Sequence, residues 1–218
     1  MQRIRVRLSR GPAARLLSQR EQIDALRRAF QRLSWPVAFG AGRKPHMRLS
    51  FGPAISVGHE SEAEYCDLQM VQRMDLAKAK GELEACLPAG YGCHWIKHVP
   101  LFFPSLEELL SVALYRIIGI DASVAIPRLS ARLQEPHFQV PRKTDVVDQV
   151  IDARDLIRTM EPDPGGMLMT LRFGPRKTLK PERILQTACQ LDEKDVQDLR
   201  VCRAALYIER SDGTLVEP

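Results

Sequence analysis

The sequence lacks the short motifs that mark the common cofactor enzymes and hydrolases. The patterns CxxxCxxC, CxxC, GxxxxGK[ST], GxGxxG, HExxH and GxSxG do not occur in its 218 residues. Proteins use these patterns to hold iron–sulfur clusters, nucleotide phosphates or zinc, or to activate a serine. Their absence argues against nucleotide hydrolysis and nicotinamide chemistry, and we expect no cofactor in this chain.

Long apolar runs and a regular cysteine framework are also missing. No window contains the roughly 20 apolar residues that a membrane-spanning helix needs. The basic start, MQRIRVRLSR, is followed by neither an apolar segment nor a cleavage site, which argues against a secretory signal. The scattered, odd-numbered cysteines indicate reduced thiols in a cytoplasmic protein without membrane contact: Cys66, Cys86, Cys93, Cys189 and Cys202.

Acidic residues are scarce at one end of the chain. Residues 1–50 contain twelve Lys or Arg side chains and two acids, although the whole chain contains 32 basic and 27 acidic residues. The remainder is therefore mildly acidic, and a polyanion would meet the basic end first. A solvated basic surface without a partner is the alternative.

What remains is an alternation of strands and helices. Gln2 to Ser9 alternates apolar residues with arginines, which predicts a strand with an arginine-studded face. Ser18, followed by Glu21, predicts a capped helix from about Gln19 to Leu33. Further strands are predicted over 37–39, 47–51, 65–70 and 93–99, and a second helix over 75–87. This order matches the ferredoxin-like split βαβ pattern.

The pattern recurs more weakly in the second half. It predicts a helical turn over 105–110, helices over 125–133 and 181–191, and strands over 114–120, 137–140, 146–151, 167–173 and 202–209, with PDPGG as a turn. We therefore expect an α+β fold of two tandem ferredoxin-like (βαββαβ) halves sharing an antiparallel sheet. The expected domains are residues 1–111 and 112–218.

Two groups of side chains have the chemistry of a metal site. Cys86, Cys93, His94 and His98 suit zinc, but their spacing matches no common zinc motif and the imidazoles lie opposite Cys93 on a strand. Glu60, Glu62 and Glu64 share a strand face that could hold Mg²⁺. Buried thiols, surface imidazoles and a solvated acidic edge explain both groups without a metal, so none is expected.

The segment RKTD, residues 142–145, raises an enzymatic alternative. Tandem ferredoxin-like halves also build pseudouridine synthases, whose catalytic loop has an Asp after an Arg-Thr pair. Asp145 is the candidate, but the glycine of that motif is absent and Lys143 intervenes. A polar loop between strands is the favoured interpretation.

A glycine- and cation-rich segment gives the strongest signal. Gly40 and Gly42 permit a close backbone approach, and four donors follow within six positions. Only Phe39 and Phe51 lie nearby, so the segment favours backbone phosphates and shape over base reading. The predicted phosphate-binding residues are Arg3, Arg5, Arg7, Gly40, Gly42, Arg43, Lys44, His46 and Arg48.

The residues after this segment resemble the radical-SAM-linked proteins, a domain of unknown function found beside or fused to a cobalamin-binding radical SAM enzyme. Besides Gly42 and Arg48, the matching positions are Pro45, Ser50, Phe51, Gly58, Glu60, Ser61, Glu64 and Tyr65. Leu17-Ser18, the helix end ALRRAF, Pro104-Ser105-Leu106 and Tyr115-Arg116 match as well, so the resemblance covers about residues 3–120. The chain departs from the family pattern at Gln19, Arg43, Lys44, His46 and Met47.

The resemblance implies a function by context. The partner enzyme would contain the iron–sulfur cluster, S-adenosylmethionine and cobalamin, and the family's frequent association with a ribonuclease of the G/E type implies RNA modification or processing. We expect an accessory protein without enzymatic activity that binds structured RNA, either rRNA or tRNA. The alternatives are a protein-interaction module that never touches RNA and a stand-alone enzyme that uses Asp145.

Overall fold

The computed structural model describes residues 1–142, 149–175 and 177–218. Residue contacts divide the chain into two units, Met1–Leu110 with Pro218, and Ser111–Glu217. Each unit combines antiparallel strands and helices around its own buried apolar cluster, which confirms the α+β class. Among the described helices, none is both long and apolar enough to cross a membrane.

The first unit orders its four strands β4-β1-β3-β2, and every neighbouring pair is antiparallel. Its strands are β1 (Gln2–Arg10), β2 (Leu49–Phe51), β3 (Glu60–Met70) and β4 (Tyr91–Val99). Its helices are α1 (Gln19–Gln31), α2 (Leu76–Glu84) and the single turn α3 (Leu106–Leu109).

The core of the first unit forms where β1 meets α1. Ile4, Val6 and Leu8 of β1 are almost completely buried together with Leu26 and Phe30 of α1. Burying one such side chain contributes roughly 1.5–3 kcal/mol to the free energy of folding. This burial fixes β1 at the centre of its sheet.

The start of α1 is fixed by a capping box, as predicted. The Ser18 hydroxyl accepts from the Glu21 amide at 3.3 Å, and the Glu21 carboxylate accepts from the Ser18 amide at 2.8 Å. The hydroxyl and the carboxylate thus satisfy two amides that the first helical turn would leave unpaired.

The second unit orders its main strands β10-β5-β9-β8, again with antiparallel neighbours. Its strands are β5 (Val112–Ile118), β6 (Gln139–Arg142), β7 (Gln149–Asp152), β8 (Ile157–Asp163), β9 (Gly166–Arg172), β10 (Arg200–Glu209) and β11 (Leu215–Val216). Its helices are α4 (Ala122–Gln134), α5 (Pro181–Cys189) and α6 (Glu193–Asp198). β6 and β7 form a separate two-stranded sheet.

The turn predicted at PDPGG joins β8 to β9. Gly165 has a φ of +77°, a conformation that favours glycine. At the next position, a Cβ on Gly166 would lie 1.9 Å from the Ile117 carbonyl oxygen. Glycine at 166 therefore permits the close approach of β9 to β5.

Apart from the strand predicted over 37–39, the predicted elements are present with shifted bounds where the structure describes them. Val37 and Phe39 make only isolated bridges, so no full strand forms there. The structure adds β8, α6 and β11, which the pattern did not predict. The finer expectation, ferredoxin-like halves sharing one sheet, stays a prediction.

Candidate nucleic-acid interface

The arginines of β1 do not form the exposed face that a phosphate would need. Arg3 is 9% exposed and Arg5 is 1% exposed, whereas Arg7 is half-buried. The burial of Arg3 and Arg5 corrects the expectation that both contact a phosphate. Arg7 alone among the three stays a candidate contact.

A buried carboxylate explains the burial of these arginines. Arg5 donates from Nε to Asp67 Oδ1 at 2.7 Å and from Nη2 to Asp67 Oδ2 at 2.9 Å. Arg3 Nε lies 3.5 Å from the same carboxylate, and its Nη2 donates to the Pro104 carbonyl oxygen at 3.1 Å. A two-point Arg–carboxylate bond fixes both side chains, so Arg5 has a structural role.

Cations and aromatic rings alternate on the same sheet face. The Arg7 guanidinium lies 5.9 Å from the centre of the Tyr65 ring, and Lys97 Nζ lies 3.8 Å from the centre of the Trp95 ring. The two rings are 5.8 Å apart. Lys97 is exposed, so this row of cation–π contacts ends in a positive charge at the edge strand β4.

The basic loop, which we define as residues 40–48, is a short hairpin between backbone bridges. The Gly40 amide donates to the His46 carbonyl oxygen at 2.9 Å, and the Arg48 amide donates to that of Ala38 at 2.8 Å. Gly42 has a φ of +128°, which a residue with a side chain rarely adopts. The backbone bonds therefore hold the ends of the loop together while its tip faces solvent.

The cations of the basic loop are exposed. Within the described part of the chain, no acidic side chain pairs with Arg43, Lys44 or His46, and Arg48 donates to the Gln69 side-chain oxygen at 3.0 Å. The loop thus brings together the four predicted donors, and the charges of Arg43, Lys44 and Arg48 are not offset by an acidic side chain among the described residues. Their contact with phosphate stays a prediction.

Several residues of the family pattern lie around a buried arginine. Arg10 is 0% exposed, donates to the Gln22 side-chain oxygen at 2.9 Å, and Gln22 donates to Glu64 at 2.9 Å. Arg10 also donates to three backbone carbonyl oxygens at 2.7–3.2 Å, those of Ala14, Arg15 and Leu17. The network fixes the segment between β1 and α1.

A turn of the family pattern is attached to that segment. Gly58, with a φ of +91°, donates its amide to the Arg15 carbonyl oxygen at 2.7 Å. Ser61 is buried and accepts from the Ala63 amide at 3.1 Å. The other pattern residues differ in exposure: Pro45 and Ser50 are exposed, Phe51 is half-buried and Tyr65 is buried.

The three glutamates that were considered for Mg²⁺ have different partners. Glu60 lies 3.8 Å from Arg15, Glu62 lies 2.9 Å from His94, and Glu64 is buried against Gln22. They belong to β3, and the expectation of a solvated edge is wrong for Glu64. No group of three metal-binding side chains occurs among the described residues, which also covers the cysteines and histidines considered for zinc.

Burial makes two of the thiols poor nucleophiles. It raises the pKa of Cys66 well above its usual value, and the pKa of Cys93 from 9.0 to about 11. The neutral thiol is the form that the fold favours. The contribution of the protonated Cys93 thiol to the free energy of unfolding is complete below about pH 9. This contribution is lost as the pH rises through 11.

We expect iodoacetamide at pH 8 to label Cys86 well before Cys66 or Cys93. Cys86 is half-buried, whereas the other two thiols are buried and protonated at that pH. Peptide mass mapping over time measures the order, and a denatured sample is the control, in which all three should react together. Equal rates in the native protein would contradict the predicted burial.

The enzymatic candidate Asp145 lies outside the described residues, as does Lys143. Arg142, the first residue of that segment, ends β6. The pseudouridine-synthase alternative therefore stays a prediction.

Sequence reasoning missed a second cationic surface in the first unit. A cleft of about 530 Å³ opens where β1 begins and β4 ends. Next to it, Phe102 is 88% exposed. The sequence feature that could have indicated this surface is the apolar triplet LFF between two prolines. A triplet of this kind rarely faces solvent.

A family profile described as "Uncharacterized protein conserved in bacteria (DUF2344)" matches residues 3–181. The chain belongs to this family. The DUF2344 match includes the basic loop, the Arg10 network and the cleft residues from Arg3 onward, but its description assigns no activity. No curated protein matches the sequence significantly.

Proposed function

We propose that this DUF2344 protein is an RNA-binding accessory protein that works with a cobalamin-dependent radical SAM enzyme on rRNA or tRNA. The observation that supports RNA binding most directly is the basic loop, whose exposed Arg43, Lys44 and His46 have no acidic partner among the described residues. The resemblance of its residues to the radical-SAM-linked proteins supports the partner. That enzyme would carry the cluster, S-adenosylmethionine and cobalamin.

The proposed role of the loop is electrostatic. Exposed arginine and lysine side chains bind phosphates and release counterions, so the affinity should fall steeply with salt. Arg7 and Lys97 extend the positive charge across the neighbouring sheet face. Such contacts orient a structured RNA without reading its sequence.

We also propose that each unit is a ferredoxin-like half. In the first unit the order is β4-β1-β3-β2, and in the second it is β10-β5-β9-β8. The two orders are equivalent when β6, β7 and β11 are set aside. This shared order supports the tandem arrangement.

Reversing the charge of the basic loop should abolish RNA binding. In the triple variant Arg43→Glu/Lys44→Glu/Arg48→Glu we expect at least about a tenfold loss of affinity. Losing three phosphate contacts should also make the slope of log affinity against log salt shallower by about two. Fluorescence anisotropy with labelled tRNA and rRNA hairpins across a salt series measures both quantities.

The matched control is Lys78→Glu/Lys177→Glu/Lys194→Glu, which changes the net charge equally at three exposed lysines outside the loop. We expect this control to lose far less affinity than the loop variant. Equal losses would mean that only net charge matters and that the loop is not the site. Absence of RNA binding by the unaltered protein would contradict the proposed function itself.

A protein-interaction module is the second candidate. Leu16 is 71% exposed and Val57 is 55% exposed, on two segments joined by the bond from Gly58 to Arg15. A tight complex with the radical SAM enzyme, without RNA affinity of either component, would support this alternative.

A further inference from the structure

The cleft in the first unit is lined by two arginines, one histidine and backbone; of the arginines, Arg73 is exposed and Arg3 is paired with Asp67. Its lining residues are Met1, Gln2, Arg3, Arg73, His98, Val99 and Pro100. Arg73 and His98 are exposed, and no carboxylate is among the lining residues. The cleft is therefore suited to an anion.

A hydrogen-bonded turn that begins at Pro100, a lining residue of the cleft, contains an exposed aromatic ring. Pro100 lines the cleft, and its carbonyl oxygen accepts from the Phe103 amide at 3.1 Å. The next carbonyl, that of Pro104, accepts from Arg3 at 3.1 Å. Between these two attachments Phe102 is 88% exposed. The turn thus places a large apolar ring in solvent. An exposed ring contributes almost no hydrophobic stabilisation unless a partner covers it.

Strand pairing connects the cleft to the basic loop. Arg48 donates to the side chain of Gln69, Gln69 stands opposite Arg3 in the pairing of β3 with β1, and Arg3 lines the cleft. Neighbouring strands lie about 4.8 Å apart. An RNA strand that leaves the basic loop would therefore reach the cleft by crossing the two β-strands β3 and β1.

We propose that this surface binds an unpaired nucleotide next to the structured RNA, with the base stacked on Phe102 and a phosphate in the cleft at Arg73 and His98. The proposal rests on the RNA-binding function proposed above. An exposed ring beside a cationic groove is the combination that binds single strands without sequence preference. The charge of the lining favours this occupant over an apolar or basic peptide.

The test uses the full chain and one labelled RNA hairpin, either blunt or with a short single-stranded overhang. We expect Phe102→Ala to weaken binding of the overhang hairpin at least about fivefold, because stacking on one base contributes that much or more. Phe102→Trp should retain the affinity, and the blunt hairpin should be insensitive to both changes. Arg73→Glu should also weaken overhang binding, whereas Lys78→Glu, exposed on α2, should not.

A direct readout accompanies the affinities. A 2-aminopurine in the overhang should lose fluorescence on binding to the unaltered protein and not to Phe102→Ala. Equal overhang binding by both proteins would overturn the proposal and would leave Phe102 to a protein partner. Equal weakening of blunt and overhang hairpins would overturn it too.

The two proposals fail in different ways. Suppose that Phe102→Ala binds the overhang hairpin as tightly as the unaltered protein, whereas the Arg43/Lys44/Arg48 variant loses this binding. The RNA-binding function then stands and the nucleotide site does not. If the unaltered protein binds neither hairpin, both fail.

Discussion

Asp67→Asn is expected to lower the free energy of unfolding by about 3–5 kcal/mol, because it leaves a buried guanidinium without its carboxylate. Arg5 is 1% exposed and Asp67 is 4% exposed, so water cannot replace the lost partner. Arg3, whose Nε lies 3.5 Å from Asp67 Oδ2, loses the same counter-charge. Chemical denaturation followed by tryptophan fluorescence measures the loss, since Trp35 and Trp95 both belong to the first unit.

Asp163→Asn is the matched control for this prediction, and far-UV circular dichroism during denaturation measures its effect because the second unit contains no tryptophan. Asp163 pairs with Arg116 at 3.0 Å, but the Arg116 side chain is 48% exposed. Solvent screens such a pair, and its removal should cost less than about 1 kcal/mol. A loss at Asp67 no larger than at Asp163 would mean that Asp67 does not hold Arg5, and Arg5 would again be a candidate for phosphate binding.

Phe138→Ala is expected to cost about 3–5 kcal/mol in the second unit, because it leaves a cavity that the core cannot refill. Phe138 is 0% exposed, and the Arg132 guanidinium lies 5.3 Å from its ring centre. The second unit contains no tryptophan, so far-UV circular dichroism during denaturation is the measurement.

The control makes the same substitution at an exposed ring. Phe102→Ala should change the free energy of unfolding by less than about 0.5 kcal/mol, since Phe102 is 88% exposed. Similar costs at the two positions would contradict the burial of Phe138. A stable Phe102→Ala protein also allows its loss of RNA affinity to be attributed to the ring itself.

Local sequence signals predicted the elements that depend on neighbouring residues. The predicted capping box of α1 lies within four residues, and the helical turn predicted over 105–110 is the single turn α3. The proline that opens α5 acts within one turn. These features are read correctly because their causes are close in sequence.

Long-range features could not be predicted in this way. Alternating arginines on a strand look the same whether they meet solvent or a carboxylate, and the carboxylate of Asp67 lies 62 positions from Arg5. β8 is rich in polar residues and contains Pro162, so its own pattern is weak, and its register depends on pairing with β9. The exposure of the basic loop followed from its composition, whereas the cleft required strand ends that only folding brings together.

The central position of β1 has a consequence during synthesis. β1 pairs with β3 and β4, so Arg3 meets both Gln69 and Val99. At 5–20 residues per second, the ribosome needs roughly 5–20 s to make the chain between Arg3 and Val99. Until Val99 has been made, this apolar, arginine-rich strand lacks at least one of its two partners. The nascent first unit therefore depends on slow, non-local pairing. Charge repulsion between the arginines of β1 opposes the self-association of this strand while it is unpaired.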